Sequence, residues 1–233
     1  MLCLPLISFF MIYFFGHYLG RSGSLIFSIV NISITNIFSL FIFILVCLND
    51  FMLNLSICNW IHLLTFDVQW LFSVDMLSIS MVYVVTFISL FVHLYSIDYM
   101  YGDPNRSLFL GYLSLFTFFM LLLVCSVNLF IFFLSWEGVG ICSYLLINFW
   151  NTRILATQSA IKALLVNRVS DLFLFIGLLE ISLNINSVDL VLAEVCNYLF
   201  SGDIIVLGYT QGICCLFLLV GVVGKSAQLF LHT

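Results

Sequence analysis

Two long stretches of this chain leave out ionisable side chains entirely, and that omission decides the fold class. Residues 22–49 and 107–136 contain no Lys, Arg, Asp or Glu and are dominated by Leu, Ile, Phe and Val. Crossing the hydrocarbon core of a bilayer takes about 20 predominantly apolar residues, and a helix satisfies its own backbone polar groups there. Over the whole chain 64% of the 233 residues are hydrophobic and 7% are charged. A soluble domain carries roughly 25% charged residues. A soluble globular fold, a disordered chain and a basic nucleic-acid binder are therefore excluded. The apolar stretches are continuous rather than alternating, which argues against a transmembrane β-barrel. The expectation is an all-α fold, a polytopic membrane helix bundle, with lipids and other membrane chains as partners and no nucleic acid.

Hydropathy predicts about seven transmembrane helices, at 2–18, 25–48, 76–97, 108–125, 128–150, 156–183 and from about 204 onward. The last loses its apolar run at 221–224, so a broken seventh helix is expected. This divides the chain into two N-terminal helices (1–48), an outer-face loop (49–75), and core helices three to seven (76–233). Within the loop, Phe66, Val68, Trp70 and Phe72 alternate with Asp67, Gln69, Leu71 and Ser73, which predicts a short strand or hairpin. The inter-helix segments 19–24, 98–107 and 151–155 carry Arg21, Arg106 and Arg153. The alternate set carries no Lys or Arg but holds Asp50, Asp67, Asp75, Asp189, Glu194 and Asp203. The positive-inside rule puts the first set on the cytoplasm-equivalent side.

The eight cysteines (3, 47, 58, 125, 142, 196, 214 and 215) form no C-x-x-C pair, and no histidine stands at ligand spacing. They read as small apolar fillers, with no metal site. The start lacks the basic region of a signal peptide, so the first apolar stretch reads as a retained helix. With 26 Phe against five Ala, the composition hints at an AT-rich, organellar genome.

Ionisable residues inside the membrane cost several kcal/mol and mark ion or proton pathways. Glu137 lies about 18 Å from the inner end of the fifth helix at 1.5 Å per residue. It heads a face shared with Ile141, Tyr144 and Asn148, and Gly138 and Gly140 beside it allow close approach or hydration. The sixth helix carries Lys162, Arg168 and Asp171. Arg168 and Asp171 are three apart and can pair. Arg168 should meet Glu137 at matching depth, while Lys162 falls on the face opposite Asp171 and can snorkel. Lys225 follows the glycines of the seventh helix, at the expected break. Five charges in three adjacent helices exceed what a structural ion pair needs. Ser78, Ser89, His93 and Ser96 share one face of the third helix; they read chiefly as packing polar groups.

These residues also carry a family resemblance. Trp136-Glu137-Gly138-Val139-Gly140 with Cys142-Ser143-Tyr144-Leu145-Leu146-Ile147 is similar to the fifth helix of the antiporter-like membrane subunits of respiratory complex I, NADH:ubiquinone oxidoreductase. It resembles the largest of these subunits. Ala160-Ile161-Lys162-Ala163, Val166-Asn167-Arg168-Val169 and Asp171 resemble its sixth helix, with Ser170 where the family usually has Gly. Gly224-Lys225-Ser226-Ala227-Gln228 with Leu231-His232-Thr233 resembles its seventh. His93-Leu94-Tyr95-Ser96 and Tyr99-Met100 resemble its third.

The resemblance implies the N-terminal half of a proton-translocating membrane-arm subunit of about fourteen helices in the mitochondrial inner membrane. It implies no redox site on this chain, with FMN and Fe–S clusters in other subunits. It further implies that Glu137 and Lys225 form a charge pair that alternates during pumping, with Arg168, Asp171 and Lys162 on the relay or its inner entry. A lysine that loses its carboxylate in a desolvated site gives up its proton more readily. Two other readings stand beside this one: a subunit of a multi-subunit cation/proton antiporter, and a structural membrane subunit. Because the family's text runs on beyond Thr233, the sequence predicts a split subunit, completed by a separate polypeptide.

Overall fold

The computed structural model describes residues 1–49, 52–62, 67–185 and 205–228. In chain order they form α1 (Cys3–Asn49), β1 (Leu53–His62), β2 (Asp67–Val74), α2 (Met76–Tyr99), α3 (Arg106–Cys125), α4 (Leu129–Ile147), α5 (Ile154–Ile185) and α6 (Ile205–Lys225). The architecture is an all-helical bundle with one small hairpin. Among the described residues α1, α2, α3 and α4 are each long and apolar enough to cross a membrane. Asp50, Phe66, Asp189, Glu194, Asp203 and Leu231-His232-Thr233 lie outside the described residues.

The first two expected spans join without the expected loop at 19–24. The chain is helical on both sides of Gly20, which alone departs, at φ 69° and ψ −178°. A positive φ is routine only for glycine, so one residue serves as the corner. Met1 and Leu2 pack on the same apolar cluster as Ile42, Phe43 and Val46, so the two halves of α1 run side by side in opposite directions. That cluster also holds Ile79, Val82, Leu121, Leu122 and Ile131, and so binds α1 to α2, α3 and α4.

The stretch 53–74 is an antiparallel pair. β1 meets β2 in the register Leu53↔Val74, Leu55↔Phe72 and Ile61↔Val68, with irregularities between Ser56 and Ile61. Val68 and Phe72, two turns of the pleat apart, are buried against the bundle. The segment between α3 and α4 is extended and adds to the sheet edge. Val127 N–H donates to the Leu71 carbonyl at 3.4 Å, and the Asn128 side-chain amide donates to the Gln69 carbonyl.

At the opposite end of the bundle, Gly16 faces Ser107, and the Trp150 indole N–H donates to Asp103 at 2.9 Å. Arg106 donates to the Ile97 carbonyl, and the Arg153 guanidinium lies 5.2 Å from the Trp150 ring centre. Arg106 and Arg153 thus lie at this end, next to the Gly20 corner that carries Arg21, while the hairpin lies at the other.

Candidate functional site

Helix α4 begins where Asn128 tethers the chain to the hairpin, and ends at Ile147, three residues short of the expected boundary. Gly138 lies directly on the Phe119 ring of α3, with no room for a Cβ, whereas Gly140 has nothing within 4 Å. One glycine thus sets helix contact and the other leaves open space beside Glu137. Inward of Glu137, Asn148 Nδ2 donates to the Tyr144 hydroxyl at 3.3 Å, continuing the polar stripe.

Helix α6 runs through Gly221 and Gly224 without a break. Gly221 serves contact rather than interruption: a Cβ there would come within 2.6 Å of Leu174 Cβ on α5. The helix stops after Lys225. There Ala227 adopts φ 50°, and the Gln228 and Ala227 N–H groups close back on the Val223 and Gly224 carbonyls at 3.1 and 3.3 Å. This is a left-handed C-terminal cap, made by a residue other than glycine. The interruption expected at the glycines followed by Lys225-Ser226-Ala227-Gln228 thus falls at 226–227, and Gly221 is spent on packing against α5.

Four of the five expected charges gather around Trp136. Arg168 Nη1 donates to Glu137 Oε1 at 2.6 Å, an ion pair with its arginine side chain 51% and its glutamate 31% exposed in this chain. Asp171 is buried and accepts the Trp136 indole N–H at 2.7 Å. Lys225 donates to the Trp136 carbonyl, and its ammonium lies 4.2 Å from the Trp136 ring centre. Trp136 is thus one node with three contacts: indole N–H to a carboxylate, ring face to a cation, and carbonyl to the same cation.

One expectation is corrected here. Arg168 does not pair with Asp171 on its own helix; it reaches across to Glu137, leaving Asp171 to the indole. Glu137 and Lys225, expected to pair in one part of an alternating cycle, are not within ion-pair distance in this arrangement. Among the described residues Glu137 is held by Arg168, and Lys225 rests on uncharged groups. Lys162 is exposed on α5, two turns of helix toward the inner end, and makes no ion pair among the described residues.

Open space flanks the Glu137–Arg168 pair on both sides. A cleft of about 240 Å³ is lined by Phe133, Glu137, Arg168, Asp171, Leu172 and Phe175. A smaller one of about 20 Å³ lies on the Gly140 side, lined also by Ile141, Leu164 and Asn167. The arrangement can hold a proton on either carboxylate or on the lysine, next to space for water. No group of His, Cys, Asp and Glu that could hold a metal ion occurs among the described residues.

The role of Trp136 was not read from the sequence, where it served only as part of a motif. The signal was present: an indole N–H in a membrane helix needs an acceptor, and a buried carboxylate on the neighbouring helix is the available one.

Comparison with known proteins bears on the whole chain. Residues 126–233 match the family described as NADH:quinone oxidoreductase/Mrp antiporter, transmembrane. Residues 60–110 match the family described as NADH-ubiquinone oxidoreductase (complex I), chain 5 N-terminus. NADH-ubiquinone oxidoreductase chain 5 of Phytophthora infestans is 44% identical over 94% of this chain and 33% of its own length. That of Chondrus crispus is 44% identical over 100% of this chain and 35% of its own length. The chain thus spans about a third of the length of these relatives. Among solved structures, the membrane-bound sulfane sulfur reductase, an archaeal respiratory membrane complex, superposes with a TM-score of 0.79 at 15% identity. It covers 96% of this chain and 43% of the matched one, and shows the fold alone. The sequence matches fall on the helices that carry the Trp136 cluster: over residues 126–233 the chain is similar to the NADH:quinone oxidoreductase/Mrp antiporter transmembrane family, and over nearly all of its length it is similar to about a third of NADH-ubiquinone oxidoreductase chain 5 from these organisms.

Proposed function

We propose that this chain is part of a proton-translocating membrane-arm subunit of NADH:ubiquinone oxidoreductase in the mitochondrial inner membrane. The observation that carries this reading is the convergence of Glu137, Arg168, Asp171 and Lys225 from three helices on Trp136, beside clefts able to hold water. Intramembrane ionisable groups of this kind are costly and are retained for ion and proton pathways. In this reading Glu137, Asp171 and Lys225 exchange the proton, and Arg168 holds Glu137. Lys162 serves the inner entry. In this reading one limb of the cycle has Glu137 held by Arg168 and Lys225 on Trp136, the arrangement of contacts seen here. Moving Lys225 onto Glu137 would exchange one cation for the other and restore its proton affinity.

Electron transfer belongs to other subunits, which hold the FMN and the Fe–S clusters; this chain contributes no group for them. Its partners are the other membrane subunits and lipid. The names of the relatives favour this over a cation/proton antiporter, whose transmembrane family description is shared. The test is proton pumping per NADH oxidised in the intact complex with Glu137→Gln and with Lys225→Met. Both are expected to lower the ratio while leaving the complex assembled. An unchanged ratio in both would sink the proposal.

A further inference from the structure

A second polar site lies away from the charged cluster, between the second half of α1 and α2. The register of these two helices is fixed by three contacts. Cys47 meets Met76 at 3.7 Å, the Phe43 and Tyr83 rings stack with centres 5.7 Å apart, and the Ser39 and Thr86 hydroxyls bond at 2.8 Å. The helices are antiparallel. Continuing the same register sets Thr35 level with Ser89, Asn31 with His93, and Ser28 with Ser96. All six are buried, so the seam is polar along three turns.

Two atoms in this seam stand out. His93 is 1% exposed, Asn31 9%, and His93 Nε2 and Asn31 Nδ2 are both buried without a hydrogen-bond partner. They belong to residues at the same level on facing helices. The His93 Nδ1 atom bonds the Ser89 carbonyl on its own helix at 2.8 Å. A carbonyl only accepts, so Nδ1 carries the hydrogen and, in the neutral ring, Nε2 offers a lone pair. Because Nδ1 is anchored one turn back on α2, Nε2 points off that helix into the bundle.

The hydroxyls around the pair have spent their protons. Ser28 donates to the Leu25 carbonyl at 2.9 Å, Thr35 to Ile32 at 2.7 Å, Ser89 to Thr86 at 2.8 Å, and Ser96 to His93 at 2.7 Å. Each keeps only lone pairs to offer. The seam therefore presents one spare donor, the Asn31 amide, and several acceptors. A metal cation would be opposed by the amide N–H, and an anion by the lone pairs. An apolar filler would leave two buried polar groups unmet, at a cost of about 1–3 kcal/mol each. The complement is a small molecule with two donors and an acceptor.

We propose that Asn31 and His93 together hold a buried water molecule between α1 and α2. It accepts from Asn31 Nδ2, donates to His93 Nε2, and turns its second O–H to a neighbouring hydroxyl oxygen. Internal waters of this kind make about three hydrogen bonds to otherwise unmet groups. The bridge fixes these two helices by hydrogen bonding where apolar contact gives no preference over lipid.

Radiolytic hydroxyl-radical labelling of the assembled membrane complex, read by mass spectrometry, tests this. An ordered water labels the side chain it touches even when bulk solvent does not reach it. Normalised to intrinsic reactivity, wild-type His93 is expected to label at least fivefold faster than the equally buried Leu121. Asn31→Leu should bring it down to the Leu121 rate, and Asn31→Ser should retain most of it. Wild-type labelling at the Leu121 rate would overturn the proposal, including the case in which Asn31 and His93 bond each other directly. Fast labelling unchanged by Asn31→Leu would overturn it too. If Asn31→Leu fails to assemble, the wild-type comparison and Asn31→Ser decide.

Discussion

Replacing Gly221 by alanine tests whether the α5–α6 seam places Lys225. The added Cβ would lie 2.6 Å from Leu174 Cβ and 3.2 Å from Leu174 Cα. Carbon atoms pack at about 3.5–4.0 Å, and neither Leu174 atom is the movable end of a side chain. The helices must therefore part by about 1 Å. The seam cannot yield easily elsewhere, because at Gly177 of α5 the place of a Cβ is only 3.2 Å from Leu218 and 3.3 Å from the Cys214 carbonyl. Overpacking of this kind costs about 1–3 kcal/mol, against a gain of roughly 1 kcal/mol from removing a helix-interior glycine. A net loss of up to about 2 kcal/mol remains. Lys225 follows one turn later, and its contacts are with Trp136 on a third helix, so the displacement is carried to the charged cluster. The assay is thermal stability of the purified complex together with proton pumping per NADH. Gly212→Ala is the control, because no heavy atom lies within 4 Å of its Cβ position. Gly221→Ala should lower both readouts and Gly212→Ala neither. If the two variants behave alike, close helix approach at Gly221 does not hold Lys225 in place.

Other outcomes follow from single contacts. Trp136→Phe keeps a ring beneath Lys225 but removes the indole donor from buried Asp171; pumping should fall with assembly intact, and Trp136→Ala should fall further. Equal activity of wild type and Trp136→Phe would show that the indole–Asp171 bond is dispensable. Asn128→Leu leaves the Gln69 carbonyl without its amide donor at a fully buried position, at a cost of about 1–3 kcal/mol. Hydrogen exchange should then speed up across 67–74, and unchanged protection there would show that the hairpin is held by its apolar face alone.

The membrane bundle and the residues at issue were legible in the amino-acid chain alone. Charge-free stretches longer than a bilayer is thick leave few alternatives to helices, and charges placed inside such helices identify themselves by their cost. Both signals are local, so they survive without a partner in view. Trp136-Glu137 and Gly224-Lys225 carried the family likeness for the same reason, as contiguous strings.

Tertiary structure decided which charge meets which. The spacing of Arg168 and Asp171 allowed a pair on one helix, but α4 supplied a nearer carboxylate to the arginine and an indole to the aspartate. Both choices depend on helix rotation, which hydropathy does not encode. Gly221 of α6 looked like part of a break in one dimension and proved to be a point of contact in three, because only a neighbouring helix reveals what a missing Cβ makes room for. The same holds for Asn31 and His93, sixty-two positions apart in sequence. Each alone was an ordinary polar residue on an apolar helix, and only the antiparallel register set their two unmet atoms at the same level.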